Sequence, residues 1–244
     1  MHTTRMKRTV VLLILLAGFL ISSANGEKAD SCFYIQVDLA NMWVWRGMAL
    51  SDAPVIQPSF GFATDKLNVS VWGSYPIERY AYSEIDFILE YQMTSGLKLG
   101  FVDYFAINDS NGGKNNFFDM KRKTTSHLFD IYGVYQPVEK IPLSFLCSLW
   151  VWGADRNAVT QKQNYSSYLE AKYEKSYQDV MASVFAGMTL REGSYASHAS
   201  LVNIGVGLSK SITLGNKISI PAKIEFVVNP DSHHAYLNAI ITLK

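Results

Sequence analysis

The sequence predicts an all-β fold, a transmembrane antiparallel β-barrel of about twelve strands with short periplasmic turns and longer extracellular loops. Three observations predict it. The chain opens on an export leader. Beyond the leader lies a series of segments of roughly ten residues in which apolar and polar side chains alternate, the period of a strand with one face on lipid. The connections between these segments alternate in length.

In the leader, Arg5, Lys7 and Arg8 precede the apolar run from Val10 to Ile21, which is interrupted at Gly18, and Ser22-Ser23-Ala24 supplies the small residues of a cleavage site. The run is shorter than the ~20 residues a bilayer-crossing helix needs. Residues 1–24 are therefore assigned as a signal peptide and residues 25–244 as one barrel domain. Cys32 lies far from the apolar run and follows Ala-Asp-Ser, which argues against a lipoprotein.

The first strand sets Phe33, Ile35, Val37 and Leu39 against Gln36, Asp38 and Ala40. Continued to Arg46, the alternation puts that guanidinium on the Asp38 face, where a carboxylate such as Glu84 or Asp86 is expected to pair with it. The second strand, Val55 to Thr64, carries Pro58, which cannot donate to a ladder and predicts a bulge or distorted register. After Thr64-Asp65-Lys66, the third strand runs from Leu67 to Tyr75. The fourth, Ser83 to Gln92, is the clearest: Ile85, Phe87, Leu89 and Tyr91 face Glu84, Asp86 and Glu90, with Ile88 the exception. The fifth, Leu97 to Ile107, places Asp103 on the parity of Leu99 and Phe101, as if the strand leaves the membrane there.

The polar stretch Asn108 to Thr124 is the longest loop. The sixth strand, Thr125 to Gln136, turns Phe129, Ile131 and Tyr135 outward; the seventh, Leu143 to Gly153, does so with Phe145, Cys147, Leu149 and Val151. After the loop Ala154 to Asn164, the eighth strand, Tyr165 to Glu174, carries Glu170 and Lys172 inward. The ninth, Gln178 to Leu190, precedes the loop Arg191 to Ser200. The tenth, Leu201 to Lys210, turns Val202, Ile204, Val206 and Leu208 outward. The eleventh, Lys217 to Val228, and the twelfth, Ala235 to Leu243, flank the loop Asn229 to His234. The longer connections come after the odd strands and the shorter ones after the even strands. That sorting suits a barrel with both termini in the periplasm.

Trp43, Trp45, Trp72, Trp150 and Trp152 fall near strand ends and are expected to form an interface girdle. The formal charge is +1, and loss of the leader, which carries three bases and no acid, makes it slightly negative; this excludes nucleic acid as the partner. The two cysteines, Cys32 and Cys147, are expected to be free.

Asp38, Trp45-Arg46-Gly47, Pro54, Gln57, Pro58 and Trp72-Gly73-Ser74 together resemble the opening of a family of bacterial porin-type outer-membrane proteins of uncharacterised function, some of them from Bacteroidetes. Gly153-Ala154-Asp155, Tyr165-Ser167-Tyr168-Glu170 and Asn229-Pro230 extend the resemblance over most of the mature chain. It implies a channel-like barrel in the bacterial outer membrane, inserted by the barrel assembly machinery. Barrels of that kind end in an aromatic residue; this chain ends Thr242-Leu243-Lys244.

The charges assigned to the inner face are Asp38, Arg46, Glu84, Asp86, Glu90, Asp130, Glu170, Lys172, Lys223 and Glu225. They predict either a polar lumen that passes ions or small solutes, with a weak preference for cations because acids outnumber bases, or a network of paired charges that fills a narrow barrel. A closed barrel acting through its outer loops is the alternative from a different class. A soluble periplasmic sandwich also fits the alternation taken alone. A lipid hydrolase needs a Ser/His pair with an orienting group. His127 beside Ser126, and His198 between Ser197 and Ser200, are the candidates, and neither lies in a motif, so no enzyme is expected. Asp231, His233 and His234 read as loop residues, and no metal or cofactor is expected. The expected partners are outer-membrane lipid, the assembly machinery and small solutes or ions.

Overall fold

The computed structural model describes residues 32–78, 82–108, 115–138, 140–215 and 218–244. The predicted signal peptide and the start of the longest loop lie outside the described residues. The strands are β1 (Cys32–Ala40), β2 (Trp43–Trp45), β3 (Met48–Ser51), β4 (Val55–Ala63), β5 (Leu67–Pro76), β6 (Ser83–Thr94), β7 (Leu97–Asn108), β8 (His127–Tyr135), β9 (Leu143–Gly153), β10 (Ser167–Tyr177), β11 (Val180–Thr189), β12 (Ser200–Leu214), β13 (Ile218–Asn229) and β14 (His234–Leu243).

Twelve of these strands form one closed antiparallel barrel, with β1 paired to β14 on one side and to β4 on the other. Closure satisfies every sheet edge, the condition a sheet must meet to sit in lipid. The remaining two, β2 and β3, pair only with each other. They come from the 41–54 connection, so the first strand ends at Ala40 and does not run on to Arg46.

The strand period sorts the two faces as expected. Phe60, Leu89, Val206, Phe226 and Leu237 stand exposed on the outer wall, whereas Gln57, Ser70, Asp86, Ser148 and Asn238 are buried inside. A belt of exposed Phe, Leu and Ile around a closed sheet is far more apolar surface than water tolerates. Ile88 faces inward, opposite Val102, and joins an apolar level of the lumen with Leu146. Pro58 does not shift the register. Pairing of β4 with β5 holds on either side of it and lapses only across Gln57 and Pro58, where Gln57 Nε2 donates to Ser74 Oγ at 3.2 Å.

Two bulges move side chains that simple alternation misplaces. The shift opposite Gly187 and Met188 turns Val202 into the interior, where it is fully buried beside Trp150 and Tyr168. The shift at Phe129 and Asp130 leaves Trp150 inside and sets Trp152 against Phe129 on the outer row, 4.7 Å between ring centroids. Where rings crowd the wall, glycine makes room. A Cβ at Gly187 would lie 2.1 Å from the Tyr168 hydroxyl.

Asp103 does lie on the outer face, and it is shielded there. His127, opposite Phe105 on β8, places Nδ1 2.9 Å from Asp103, and its Nε2 lies 2.7 Å from the carbonyl of Phe117. The 115–126 segment therefore folds down the outer wall, with Phe117 against Phe87 and Phe105. Both ring nitrogens face acceptors, which clasps the loop to the barrel. Substituting Asp103→Asn is expected to loosen this loop and raise the rate of trypsin cleavage at Lys121, Arg122 and Lys123 severalfold, read by timed proteolysis of the refolded barrel. An unchanged cleavage rate would show that the ion pair does not hold the loop.

Candidate functional site

At the end of β1 the chain turns into the barrel. Asn41 fixes the departure point: its side chain donates to Leu237 O at 3.1 Å and accepts from Ala239 N at 2.6 Å. Trp43, Val44 and Trp45 then run along one arm and Met48–Ser51 return along the other. Between the arms Arg46 and Gly47 take φ of 48° and 79°, the left-handed pair of a two-residue hairpin turn. That conformation costs an arginine about 1 kcal/mol, so its contacts must offset the strain.

Those contacts are extensive. Arg46 Nη2 lies 3.3 Å from Asp130 Oδ2 on β8, and Nη1 donates to Ser148 Oγ on β9 at 2.9 Å and to the Tyr195 hydroxyl. The guanidinium carbon sits 4.5 Å from the Trp45 ring centroid and 4.8 Å from that of Tyr168. Asp130 is fully buried and also accepts from Ser148 Oγ at 2.7 Å and from the Tyr104 hydroxyl at 3.2 Å. The expected pairing of Arg46 with Glu84 or Asp86 is thus corrected to Asp130. The hairpin lifts Arg46 off the β1 wall and carries it across the lumen to β8 and β9.

The tip is docked on a second side. Asn229 Nδ2 donates to Gly47 O at 3.0 Å, while Asn229 Oδ1 accepts from the backbone of Asp231 and Ser232. A Cβ at Gly47 would lie 1.9 Å from Val202 O, so only glycine lets the turn approach β12 this closely. Tyr195 reaches Arg46 because its loop is tied down by Asp155, a buried carboxylate that accepts from Ser166 Oγ at 2.7 Å, Ser194 Oγ at 2.8 Å and Asn164 Nδ2 at 3.2 Å. Burial holds the Tyr195 hydroxyl above its ordinary pKa range despite the neighbouring cation, so it stays protonated.

The aromatics belong to this arrangement. Trp43 packs on Trp72 at 5.3 Å, and Trp45 on Tyr104 at 5.6 Å and Trp150 at 6.0 Å. Of the five tryptophans expected in an outer girdle, Trp43, Trp45, Trp72 and Trp150 therefore point inward, and Trp152 alone is on the outer row. An indole satisfied by aromatic packing around a hairpin has the same sequence pattern as one placed at a lipid interface.

The hairpin divides the lumen into two recesses that share Trp45 and Arg46. One, of about 480 Å³, is lined on the β5–β8 side by Trp43, Trp72, Glu84, Asp86, Tyr104 and Tyr132. The other, of about 300 Å³, is lined on the β10–β13 side by Tyr168, Glu170, Lys172, Asn203, Lys223 and Glu225. All ten predicted charges lie on the inner face or the hairpin. Four of the ten fall into local pairs: Glu90 with Lys98 at 2.6 Å, Lys172 with Glu174 at 2.7 Å and Lys223 with Glu225 at 2.7 Å. Asp38 instead accepts from Thr242 Oγ1 at 2.6 Å. Alternation places the strand-borne charges among them on the inner face, but it does not find the turn that carries Arg46, nor Tyr195 and Asp155, which act from loops. The Gly153-Ala154-Asp155 resemblance is the hint to Asp155 that the sequence carries.

The other sequence candidates stay apart from the lumen. His127 serves the outer clasp, with its Nε2 taken by a carbonyl. His198 is exposed, 3.6 Å from Asp231 and beside Ser197. Among the described residues no group of three or more metal-ligating side chains comes together. Cys32 and Cys147 are both free.

No protein-family model and no curated protein matches the chain. Among solved structures it is similar to the KdgM porin at 9% identity and a TM-score of 0.48, covering 88% of this chain and 98% of that one. It is also similar to OccK9 (OpdG) of Pseudomonas aeruginosa, at 12% identity and a TM-score of 0.38, covering 90% of this chain and 64% of that one. Pseudomonas aeruginosa OprD is similar at 11% identity and a TM-score of 0.37, with coverage of 90% and 67%.

Substituting Asp130→Ala strands a buried guanidinium and is expected to lower stability by about 3–5 kcal/mol, measured by urea unfolding of the refolded barrel. The Arg46→Ala, Asp130→Ala double variant should lose less than the sum of the single losses. Strict additivity would mean that the two groups do not interact.

Proposed function

We propose that this protein is an outer-membrane porin-like channel that passes ions or small solutes through a lumen narrowed by the 41–54 hairpin, with a weak preference for cations. The observation that carries the reading is the contrast between the two faces of the barrel: an apolar, exposed outer wall and a charged inner wall in which the hairpin leaves recesses on both sides. Lipid suits the first surface and water the second. The family resemblance on Trp45-Arg46-Gly47 and Asn229-Pro230 supports it too, since those residues form the hairpin tip and its dock. Outer-membrane lipid and the barrel assembly machinery are the partners this reading requires.

Cation preference is supported by the distribution of unpaired charge. The lysines of the inner wall are matched by neighbouring carboxylates, and Arg46 is matched by Asp130, whereas among the described residues no base forms an ion pair with Glu84 or Asp86. A net negative constriction favours cations over anions. The second reading, a closed barrel working through its outer loops, is favoured by the firmness with which the hairpin is docked at Asp130, Ser148 and Asn229.

Conductance of the refolded mature chain in a planar bilayer, with reversal potentials under a potassium chloride gradient, tests both. Steady steps with a cation-selective reversal potential are expected, and replacing residues 42–52 by a short Gly-Ser link should raise conductance severalfold. Silence from a folded wild-type barrel that conducts only after this replacement would establish the closed reading.

A further inference from the structure

The recess on the β5–β8 side contains an electrostatic imbalance that the barrel itself does not resolve. Glu84 and Asp86 are both more than nine-tenths buried, and they stand two residues apart on β6, lining the same recess. The Tyr82 hydroxyl donates to Glu84 Oε2. Asp86 Oδ1 is buried without a hydrogen-bond partner among the described residues. Two carboxyl groups so placed hold either a shared proton or a cation between them. The basic groups that line the same recess are already engaged, Arg46 by Asp130 and Lys98 by Glu90.

The surroundings of this pair are aromatic, and they come from two separate parts of the chain. On the wall, Asp86 is flanked in register by Trp72 of β5 and Tyr104 of β7. From the hairpin, Trp43 packs on Trp72 and Trp45 packs on Tyr104. The acids are thus set among two packed aromatic pairs, one at each side. A small hydrated metal ion gains little from indole faces, whereas an alkylammonium group gains from both the carboxylates and the rings.

We propose that this recess is a binding site for a compact organic cation, an alkylammonium solute held by Glu84 and Asp86 between the Trp43–Trp72 and Trp45–Tyr104 pairs. The inference rests on the channel reading for the route by which the solute arrives, and it assigns that channel a solute class. It also gives the hairpin a second role, because removing it would take away half of the aromatic surface.

The test uses choline chloride as the probe, with equal sodium chloride as the ionic control, titrated against the full mature barrel refolded in detergent and followed by tryptophan fluorescence and calorimetry. Saturable choline binding is expected, with no matching response to sodium. Asp86→Asn and Glu84→Gln should each raise the choline Kd at least tenfold, and Trp43→Leu should raise it severalfold while the wall stays intact. Heat-dependent gel mobility verifies the fold of each variant, and if Asp86→Asn fails to refold, Glu84→Gln carries the comparison. No saturable response from the folded wild type, or an unchanged Kd in the folded carboxylate variants, overturns the proposal. Potassium chloride conductance without choline binding overturns this site and leaves the channel reading standing. Choline binding by a barrel that passes no current overturns the channel reading and leaves the site.

Discussion

A guanidinium cannot be left alone inside a protein, and the placement of Arg46 shows how much structure one such charge recruits. The cost of withdrawing it from water is several kcal/mol, and it is further held in a left-handed turn. Asp130 supplies the counter-charge, Ser148 and Tyr195 accept its remaining hydrogen bonds, and the faces of Trp45 and Tyr168 cover its plane. Each of these partners needs its own support. Asp130 is held by Ser148 and Tyr104, Tyr195 by the loop that Asp155 secures, and Tyr168 by the room that Gly187 leaves on β11. The hairpin, two outer loops and the β8–β9 wall thus depend on one another through a single side chain.

This dependence joins residues scattered from Trp45 to Asn229 in the chain. Trp45-Arg46-Gly47 is the tip of the hairpin. Trp72 is the wall on which Trp43 rests, Asp155 secures the Tyr195 loop, and Asn229 receives the carbonyl of Gly47. A short polar motif that fits no strand pattern reads, in the folded barrel, as a dock.

The barrel was legible because its signal is local. Ile85, Phe87, Leu89 and Tyr91 alternate with polar residues on β6 whatever the rest of the chain does, and twelve such segments, with turns sorted by length, leave a closed sheet as the economical solution. The constriction was not legible, because strand periodicity carries no information on a chain that leaves the sheet. Trp43 and Trp45 continue the rhythm of β1 well enough that an outer girdle and an inner hairpin predict the same letters. Arg46-Gly47 was the available clue, a glycine in a two-residue turn between aromatic arms. Val202 escaped because one bulged residue inverts the parity of its strand end. Asp103 is read onto the outer face, where the structure puts it, but its shielding is not legible because the side chains that shield it arrive from a loop and from the next strand.

The two halves of the lumen differ in a way that depends on where the hairpin points. On the β10–β13 side Lys172 and Lys223 each pair with a glutamate two residues along the same strand and need nothing from the arm. On the β5–β8 side the arm presents Arg46, but Arg46 reaches past β6 to Asp130, so that among the described residues Glu84 and Asp86 have no base as an ion-pair partner. Had the tip turned toward β6, Asp130 would be the acid left without its base. Which acids of the lumen lack a base is therefore set by the choice of partner for one arginine, and the turn that carries it is docked against Val202 and Asn229.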